Sequence, residues 1–373
     1  MIFNKYRLED ITDKIGDGIH GTPEYDDNGD FYFVNGNNLV YGDIVFKNDT
    51  KRINEEQYLK NKRNLNKSTL LVSINGTLGN VAKYNNEKII LGKSACYINV
   101  KDEYNVDYVY FVFESPKFKK YLQYGANGTT IKNVPLSAIR NYEISIPSKE
   151  NQDKIVKILK SIEDKIKLNN KINNNLYEIS KQLLLKYLDK NKSSDEINIS
   201  KFLNIFTGKK NANETSPTGK YKFFSCAPES LLADTYLCDS AAIIVAGNGA
   251  YTGRTRFYDG KFELYQRTYG LTLKDGFEKN NIYGLYVFMK TIFEPDKMGG
   301  THGSAIPYIV LSDLTDYKLK YNKVEFDRFS NLVSGNIKMI QENEKSNEKL
   351  SELRDTLLPK LMNGEIDLDN IEI

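Results

Sequence analysis

The sequence predicts an α+β protein: two similar strand-rich mixed domains, related by a pseudo-two-fold and separated by two long helices that form an antiparallel coiled coil. Three observations lead there: two stretches of helical periodicity, a texture of short strands punctuated by Gly and Asn, and an internal repeat at a nearly constant offset. In chain order the expected segments are a first domain over 1–150, a central helix over 151–192, a second domain over 193–325, a second long helix over 326–363 and a tail over 364–373.

Over 1–150, short β-branched and aromatic runs read as strands: Phe31 to Val34, Asp43 to Phe46, Thr69 to Ile74, Val81 to Tyr84, Ile89 to Leu91 and Ala95 to Val100. One helix is expected around Val106 to Phe118, and a second, basic and amphipathic, around Glu55 to Asn61. Three local features stand out. Asp17 to Pro23 is a small-residue loop that offers His20 and Thr22 to a phosphate or a base edge, or else is a plain turn. Lys47, Lys51, Arg52, Lys60, Lys62, Arg63 and Lys67 crowd a stretch holding only Asp49, Glu55 and Glu56, the usual mark of a solvated charged face. Asn75-Gly76-Thr77-Leu78-Gly79 is a glycine turn directly after an apolar strand, which brings backbone close to a ligand or simply closes a hairpin.

From Ile155 to about Leu188, apolar residues at Ile155, Ile158, Ile162, Ile166, Ile172, Leu176, Ile179 and Leu183 follow the three-and-four spacing of an amphipathic helix. Written as heptads, one seam holds Ile155, Ile162, Asn169, Leu176 and Leu183, the other Ile158, Ile172 and Ile179. The second helix repeats this 174 residues later, with Phe329, Asn343, Leu350 and Leu357 on the first seam and Leu332, Met339 and Leu353 on the second. Asn169 and Asn343 thus share a seam position, where a polar residue fixes register and partner choice. Two ordinary amphipathic helices on separate cores are the alternative.

Between the helices the chain starts again. Asn75-Gly76 aligns with Asn248-Gly249 and Gly79 with Gly253, at offsets of 173 and 174. Asp107 to Phe113 meets Ile282 to Phe288 at 175, and Gly125, Gly128, Thr129, Ile131 and Val134 meet Gly300, Gly303, Ser304, Ile306 and Ile309 at the same offset. Several blocks in one order at one spacing indicate a duplication.

The 52 basic and 49 acidic residues leave a formal charge of +3, so any basic surface must be local or shared with partners. Cys96, Cys226 and Cys238 show no metal or disulfide framework, and no apolar run approaches the ~20 residues of a membrane span, so a soluble cytoplasmic protein is expected. Gly247 to Thr255 lacks the spacing and the lysine of a phosphate-binding loop, and His20 and His302 are not equivalent, so neither a nucleotidase, a metal site nor a histidine triad is indicated. The chain is therefore expected to be non-catalytic. Dispersed basic and amide side chains presented twice suit a reader of a bipartite polymer, with Lys and Arg on phosphates and Asn, Arg, Thr and His on base edges. The candidates are His20, Thr22, Lys47, Lys51, Arg52, Asn75, Thr77, Lys83, Lys93 and Lys132 in the first copy, and Lys209, Lys210, Asn248, Arg254, Arg256, Arg267 and His302 in the second.

At this point the sequence resembles the specificity subunits of type I restriction-modification systems. The resemblance spans the chain and rests on the glycine turn at Asn75 to Asn80, the Gly-x-x-Gly-Thr block running into Val134-Pro135-Leu136-Ser137 and Ile144-Ser145-Ile146-Pro147, and the two long helices. It implies two DNA target-recognition domains, each addressing half of a split sequence in double-stranded DNA. It also implies a helix pair that acts as a ruler and docks two modification subunits, with two restriction subunits in the full complex. No cofactor is expected on this chain; S-adenosylmethionine, ATP and Mg would belong to the partner subunits. Pro147 has no counterpart near Lys320, and the chain is less basic than a stand-alone DNA binder. About 34 helical residues make a ruler of ~50 Å, at most roughly 15 base pairs. A non-catalytic scaffold whose duplicated domains bind proteins is the alternative, separable by salt-dependent DNA retention.

Overall fold

The computed structural model describes residues 2–126, 132–293 and 307–368. The chain divides into two compact units, 1–166 with 349–373 and 167–348. The fold is mixed α+β, with strand-rich units and two long helices. Among the described residues no helix is long and apolar enough to cross a membrane.

In the first unit an antiparallel sheet has the order Thr12–Asp17, Ala95–Val100, Thr69–Ser73, Val81–Lys83. Its inner strands TLLVS and ACYINV are buried at every residue because both faces are covered. Leu70, Val72, Cys96 and Ile98 face a core shared with the helix Val106–Glu114, while Leu71, Ala95 and Tyr97 face a second core with Val34, Leu39, Ile89 and Leu91. A smaller sheet, Arg52–Ile53, Phe31–Val34, Ile89–Leu91, pairs its last two strands in parallel. The helix expected at Val106 to Phe118 is instead two, Val106–Glu114 and Pro116–Gly125. Ser115 makes the break: its hydroxyl donates to the Val112 carbonyl and caps Phe118 N–H, and Pro116 opens the new helix where its missing N–H costs nothing.

The second unit has one six-stranded sheet, ordered Leu203–Thr207, Thr268–Leu273, Cys238–Ala246, Thr255–Leu264, Tyr221–Phe224, Leu231–Ala233. The order matches the first unit, except that Val81–Lys83 and Ile89–Leu91 correspond to one ten-residue strand, so the two sheets become one. Again the Phe-rich strand, here Tyr221–Phe224, runs parallel to its neighbour.

The long helices span Lys149–Lys190 and Lys323–Met362, 42 and 40 residues. Within the second unit they run antiparallel: Lys190 pairs with Glu325, Tyr187 stacks on Phe329 at 5.4 Å, and Asn336 donates to Ser180. Asn169 then donates to Asn347 and Asn343 to Asn173, each at 2.8 Å, and Asn347 donates onward to Asn170. In the first unit Ile155, Val156 and Leu159 share a core with Leu358 and Leu361.

The seam itself differs from the heptad reading. Of the first seam Ile155, Ile162, Asn169 and Phe329 are buried, but Ile166, Leu176, Leu183, Asn343, Leu350 and Leu357 are only half-buried, and the second-seam residues Ile179, Leu332, Met339 and Leu353 are about half exposed. The inward face runs through Tyr177, Ser180, Leu184 and Tyr187 on one helix and Phe326, Ser330, Val333 and Ile337 on the other. The heptad count includes Asn169, Asn343 and Phe329 but passes over the serines and tyrosines that sit inside. Asn169 and Asn343 also take different partners from one another: they pair with Asn347 and Asn173, the residues equivalent under the 174-residue offset.

Candidate nucleic-acid interface

The same turn is built in both units. Gly76 and Gly79 have φ of 75° and 82°, Gly249 and Gly253 both 84°, a region a side chain resists, so glycine is required there. Gly79 N–H donates to Ser73 and Gly253 N–H to Ala246; Ser73 N–H closes on Asn80 and Ala246 N–H on Arg254. Each turn is strapped to a later segment: Gly76 N–H to the Lys132 carbonyl and Val134 N–H to Ile74 in one, Gly249 N–H to Pro307 and Ile309 N–H to Gly247 in the other. Of the blocks aligned in the sequence, residues 127–131, 294–306 and with them His302 lie outside the described residues.

A second shared feature seats the loop before each turn. Ile19 bridges Gly92 in parallel, as Lys210 bridges Tyr265. A Cβ on Gly18 would lie 2.1 Å from the Leu91 carbonyl oxygen, and one on Gly208 2.0 Å from that of Leu264, so only glycine lets the loop approach. Ile74 N–H then donates to Ser94 and Gly247 N–H to Arg267.

These bonds gather part of the candidate set along one edge of each unit. In the first unit the edge carries His20, Thr22, Lys93, Thr77 and Lys132, all exposed, with Asn75 half-buried and donating to Asn133. His20 Nε2 lies 2.7 Å from Asp17 Oδ2. Arg63, whose place here no sequence signal announces, pins this loop by donating to the Asp17 and Gly18 carbonyls at 3.1 and 3.2 Å. Its partners lie more than 40 positions earlier, and no spacing rule reaches them.

Other first-copy candidates lie elsewhere. Lys47 donates to the Asn37 carbonyl, and Arg52 donates to the Tyr32 hydroxyl while lying over that ring, which stacks on Phe46 at 4.0 Å. Lys51 lies over Tyr25. Lys83 turns toward the helices: its ammonium is 2.8 Å from Asp107, which Lys160 also approaches at 3.3 Å. Burial alone would raise the Asp107 pKa, but the hydrogen bond and charge of Lys83, with Lys160, outweigh it and hold the carboxyl below its ordinary value.

In the second unit Asn248, Arg254, Arg256 and Arg267 surround the turn. Cys226 Sγ donates to Asn248 Oδ1 at 3.1 Å and to the Arg267 carbonyl at 3.3 Å, a link invisible in the sequence. Arg254 lies over Tyr251 at 4.6 Å. Arg256 lies over Phe224 and donates to the Ala227 carbonyl; burial, and then the charge of Arg254, lower its pKa. Lys209 is exposed, while Lys210 is drawn to Thr235 and the buried Glu263, 2.5 and 3.6 Å away. One backbone frame thus presents hydroxyl, amide, imidazole and lysine groups in the first unit and a guanidinium cluster in the second.

Comparison with known proteins agrees with this fold. Residues 3–178 match the family described as "Type I restriction modification DNA specificity domain". The chain is 32% identical over 123 residues to the type I restriction enzyme EcoDI specificity subunit of Escherichia coli, a match covering 32% of this chain and 26% of that one. It is 22% identical over 349 residues to the type I restriction enzyme MjaIX specificity subunit of Methanocaldococcus jannaschii, covering 82% of this chain and 79% of that one. The fold matches the crystal structure of a type I restriction-modification system S subunit from M. genitalium, with a TM-score of 0.60, 20% identity and 96% of both chains covered.

Proposed function

We propose, for a chain whose residues 3–178 match the family described as type I restriction modification DNA specificity domain, that each unit reads one half of a split double-stranded DNA target. The observation that carries this reading is the glycine-turn edge, built twice by matching backbone bonds and furnished with different side chains. A repeated frame fixes how backbone meets DNA, and the change of side chains between copies suits two unlike half-sites. Exposed lysines at 93, 132 and 209 would hold phosphates, which set register without reading sequence. Asn75, Thr77 and His20 in one unit and Asn248, Arg254 and Arg267 in the other would meet base edges, where a bidentate pair discriminates by about 1–3 kcal/mol.

The long helices in this reading set the spacer and carry two modification subunits. Leu168, Ile179, Leu185, Leu332 and Met339, exposed along them, offer apolar surface for that docking. This chain would take no part in bond making. Methyl transfer from S-adenosylmethionine would belong to the modification subunits, and ATP- and Mg-dependent cleavage to two restriction subunits, in the cytoplasm. The test is methylation sequencing of cells in which this chain carries Asn75→Ala or Arg254→Ala. Each substitution is expected to relax one position in its own half of the motif. A change in both halves from either substitution would overturn independent reading, and wild-type complex that retains scrambled DNA as well as target DNA would overturn the reading role itself.

A further inference from the structure

Beside the reading edge, the small sheet of the first unit has an outward face floored by aromatic rings and lined by lysines. Phe31 and Phe33 alternate onto it from one strand. Tyr58 stacks on Phe31 at 4.2 Å and 18°, and Tyr25 lies 6.1 Å from Phe33. Three exposed lysines sit over this floor: Lys88 over Phe31 at 5.5 Å, Lys62 over Tyr58 at 5.9 Å and Lys51 over Tyr25 at 5.7 Å. The two strands that flank Phe31–Val34 deliver two of them, since Phe33 N–H donates to the Lys51 carbonyl and Tyr32 N–H to that of Lys88.

Two properties separate this strip from an ordinary solvated face. Among the described residues none of the three ammonium groups has a carboxylate within salt-bridge distance, whereas Lys83, Lys119, Lys210 and Lys222 each do. Rings beneath the lysines hold their charges in place without neutralising them. The arrangement also recurs in part in the duplicate. Lys261, 173 residues after Lys88 and likewise at the strand that pairs in parallel with the Phe-rich strand, lies 4.6 Å over Tyr236, which packs edge-on against Tyr221, the counterpart of Phe31, although Lys261, unlike the three lysines of the first unit, also has a carboxylate, that of Asp239, 3.9 Å away. The connections that follow the edge strands Arg52–Ile53 and Leu231–Ala233 differ in length and structure, with the helix Glu55–Asn61 in the first unit, yet a lysine over a ring is found at the same place.

We infer that Lys51, Lys62 and Lys88, held on Tyr25, Tyr58 and Phe31, form a sequence-independent seat for the DNA phosphate backbone adjoining the half-site that this unit reads. The assignment rests on the reading role proposed above. DNA is favoured over an acidic protein because the strip is continuous with the reading edge. The strand Ile89–Leu91 runs from Lys88 directly into Gly92 and Lys93, at most about 17 Å at ~3.3 Å per residue, or roughly five base pairs along a duplex. Phosphates at that remove lie outside the bases the edge can touch.

The complex with its modification subunits is to be titrated with two duplexes carrying the target, one with long flanks and one trimmed to the target, across a range of salt. Each phosphate contact contributes about 0.9 to the slope of log affinity against log salt. The triple variant Lys51→Gln, Lys62→Gln, Lys88→Gln is expected to lower that slope by about 2–3 on the long duplex and leave it nearly unchanged on the trimmed one, with the methylated motif unaltered. The triple Lys→Arg variant, which keeps the charge, is expected to retain the wild-type slope; its failure to do so would overturn the assignment. So would an unchanged slope for the Gln variant on the long duplex, an equal fall on both duplexes, or lost binding of a modification subunit with DNA affinity intact. Wild-type complex that cannot tell target from scrambled duplex would instead overturn the reading role on which the assignment stands.

Discussion

Single residues show where charge and polarity are held by design of the fold and where they are merely enclosed. Asp107 is the clearest charged case. Its carboxyl is held below the ordinary range, so the folded chain binds that proton less readily than the unfolded chain does. The resulting stabilisation is complete above the unfolded value near 4, and is lost as pH falls through the lowered folded value. Lys83→Met is therefore expected to cost about 1 kcal/mol near neutrality, with the gap to wild type closing in denaturant titrations as pH falls through the lowered folded value; a gap independent of pH would show that Asp107 is not the group involved. Ser330 is the opposite case. Its hydroxyl is fully buried and finds no hydrogen-bond partner among the described residues, and a Cβ on Gly284 would lie 2.3 Å from its Oγ. Ser330→Ala should leave stability unchanged or raise it by up to about 1 kcal/mol. Gly284→Ala alone should cost about 1–3 kcal/mol, and the double variant should recover part of that loss, a coupling readable from thermal melts.

At the scale of elements, the sequence announced what repeats locally and hid what depends on partners far along the chain. The strands Phe31–Val34, Ile89–Leu91 and Ala95–Val100 and the helix Glu55–Asn61 were legible because β-branched and aromatic runs between turn residues, and a capped amphipathic run, carry their own signal. The glycine turns were legible as a repeat. The match of the first third of each unit was not: Gly18 corresponds to Gly208 and Gly29 to Gly219, an offset of 190 and not 173, because the loops that follow differ in length. The helix seam was legible at Ile155, Ile162, Asn169 and Phe329 and not at Ser180, Tyr187 or Asn347, whose residue types carry no apolar signal. Those asparagines make a further prediction. Polar residues inside a helix pair cost stability and fix alignment, so Asn169→Leu with Asn347→Leu should raise the melting temperature by a few degrees. The same variant should loosen register, seen as a spread of distances between spin labels on the two helices within the second unit. A single sharp distance would mean that the neighbouring Asn343 to Asn173 bond and the aromatic contacts at Tyr187 already suffice.

For the whole molecule the repeat and the helices together yield a quantitative expectation. Asn343 and Asn347 stand 174 residues after Asn169 and Asn173, so each of the two seam bonds is the other with the helices exchanged. Segments facing one another across this seam can be removed in pairs without disturbing the antiparallel pattern, provided the faces of what remains still point inward. Seven residues serve: they turn a helix to within about 20° of its starting face and shorten it by about 10 Å, the length of about three base pairs. Deleting 170–176 together with 340–346, which face each other around the Asn173 and Asn343 bond, leaves the Asn169 to Asn347 bond and the buried residues of both cores in place, at the loss of Ile340 from the margin of the second. If the helices measure the spacer, methylation sequencing of cells carrying the paired deletion should return the same two half-sites separated by about three fewer base pairs. Removing only one of the two segments should abolish methylation, because the seam can no longer close. An unchanged spacer after the paired deletion would mean that the helices brace the units without measuring the DNA between the half-sites, and the ruler role would then have to be abandoned while independent reading by each unit stood.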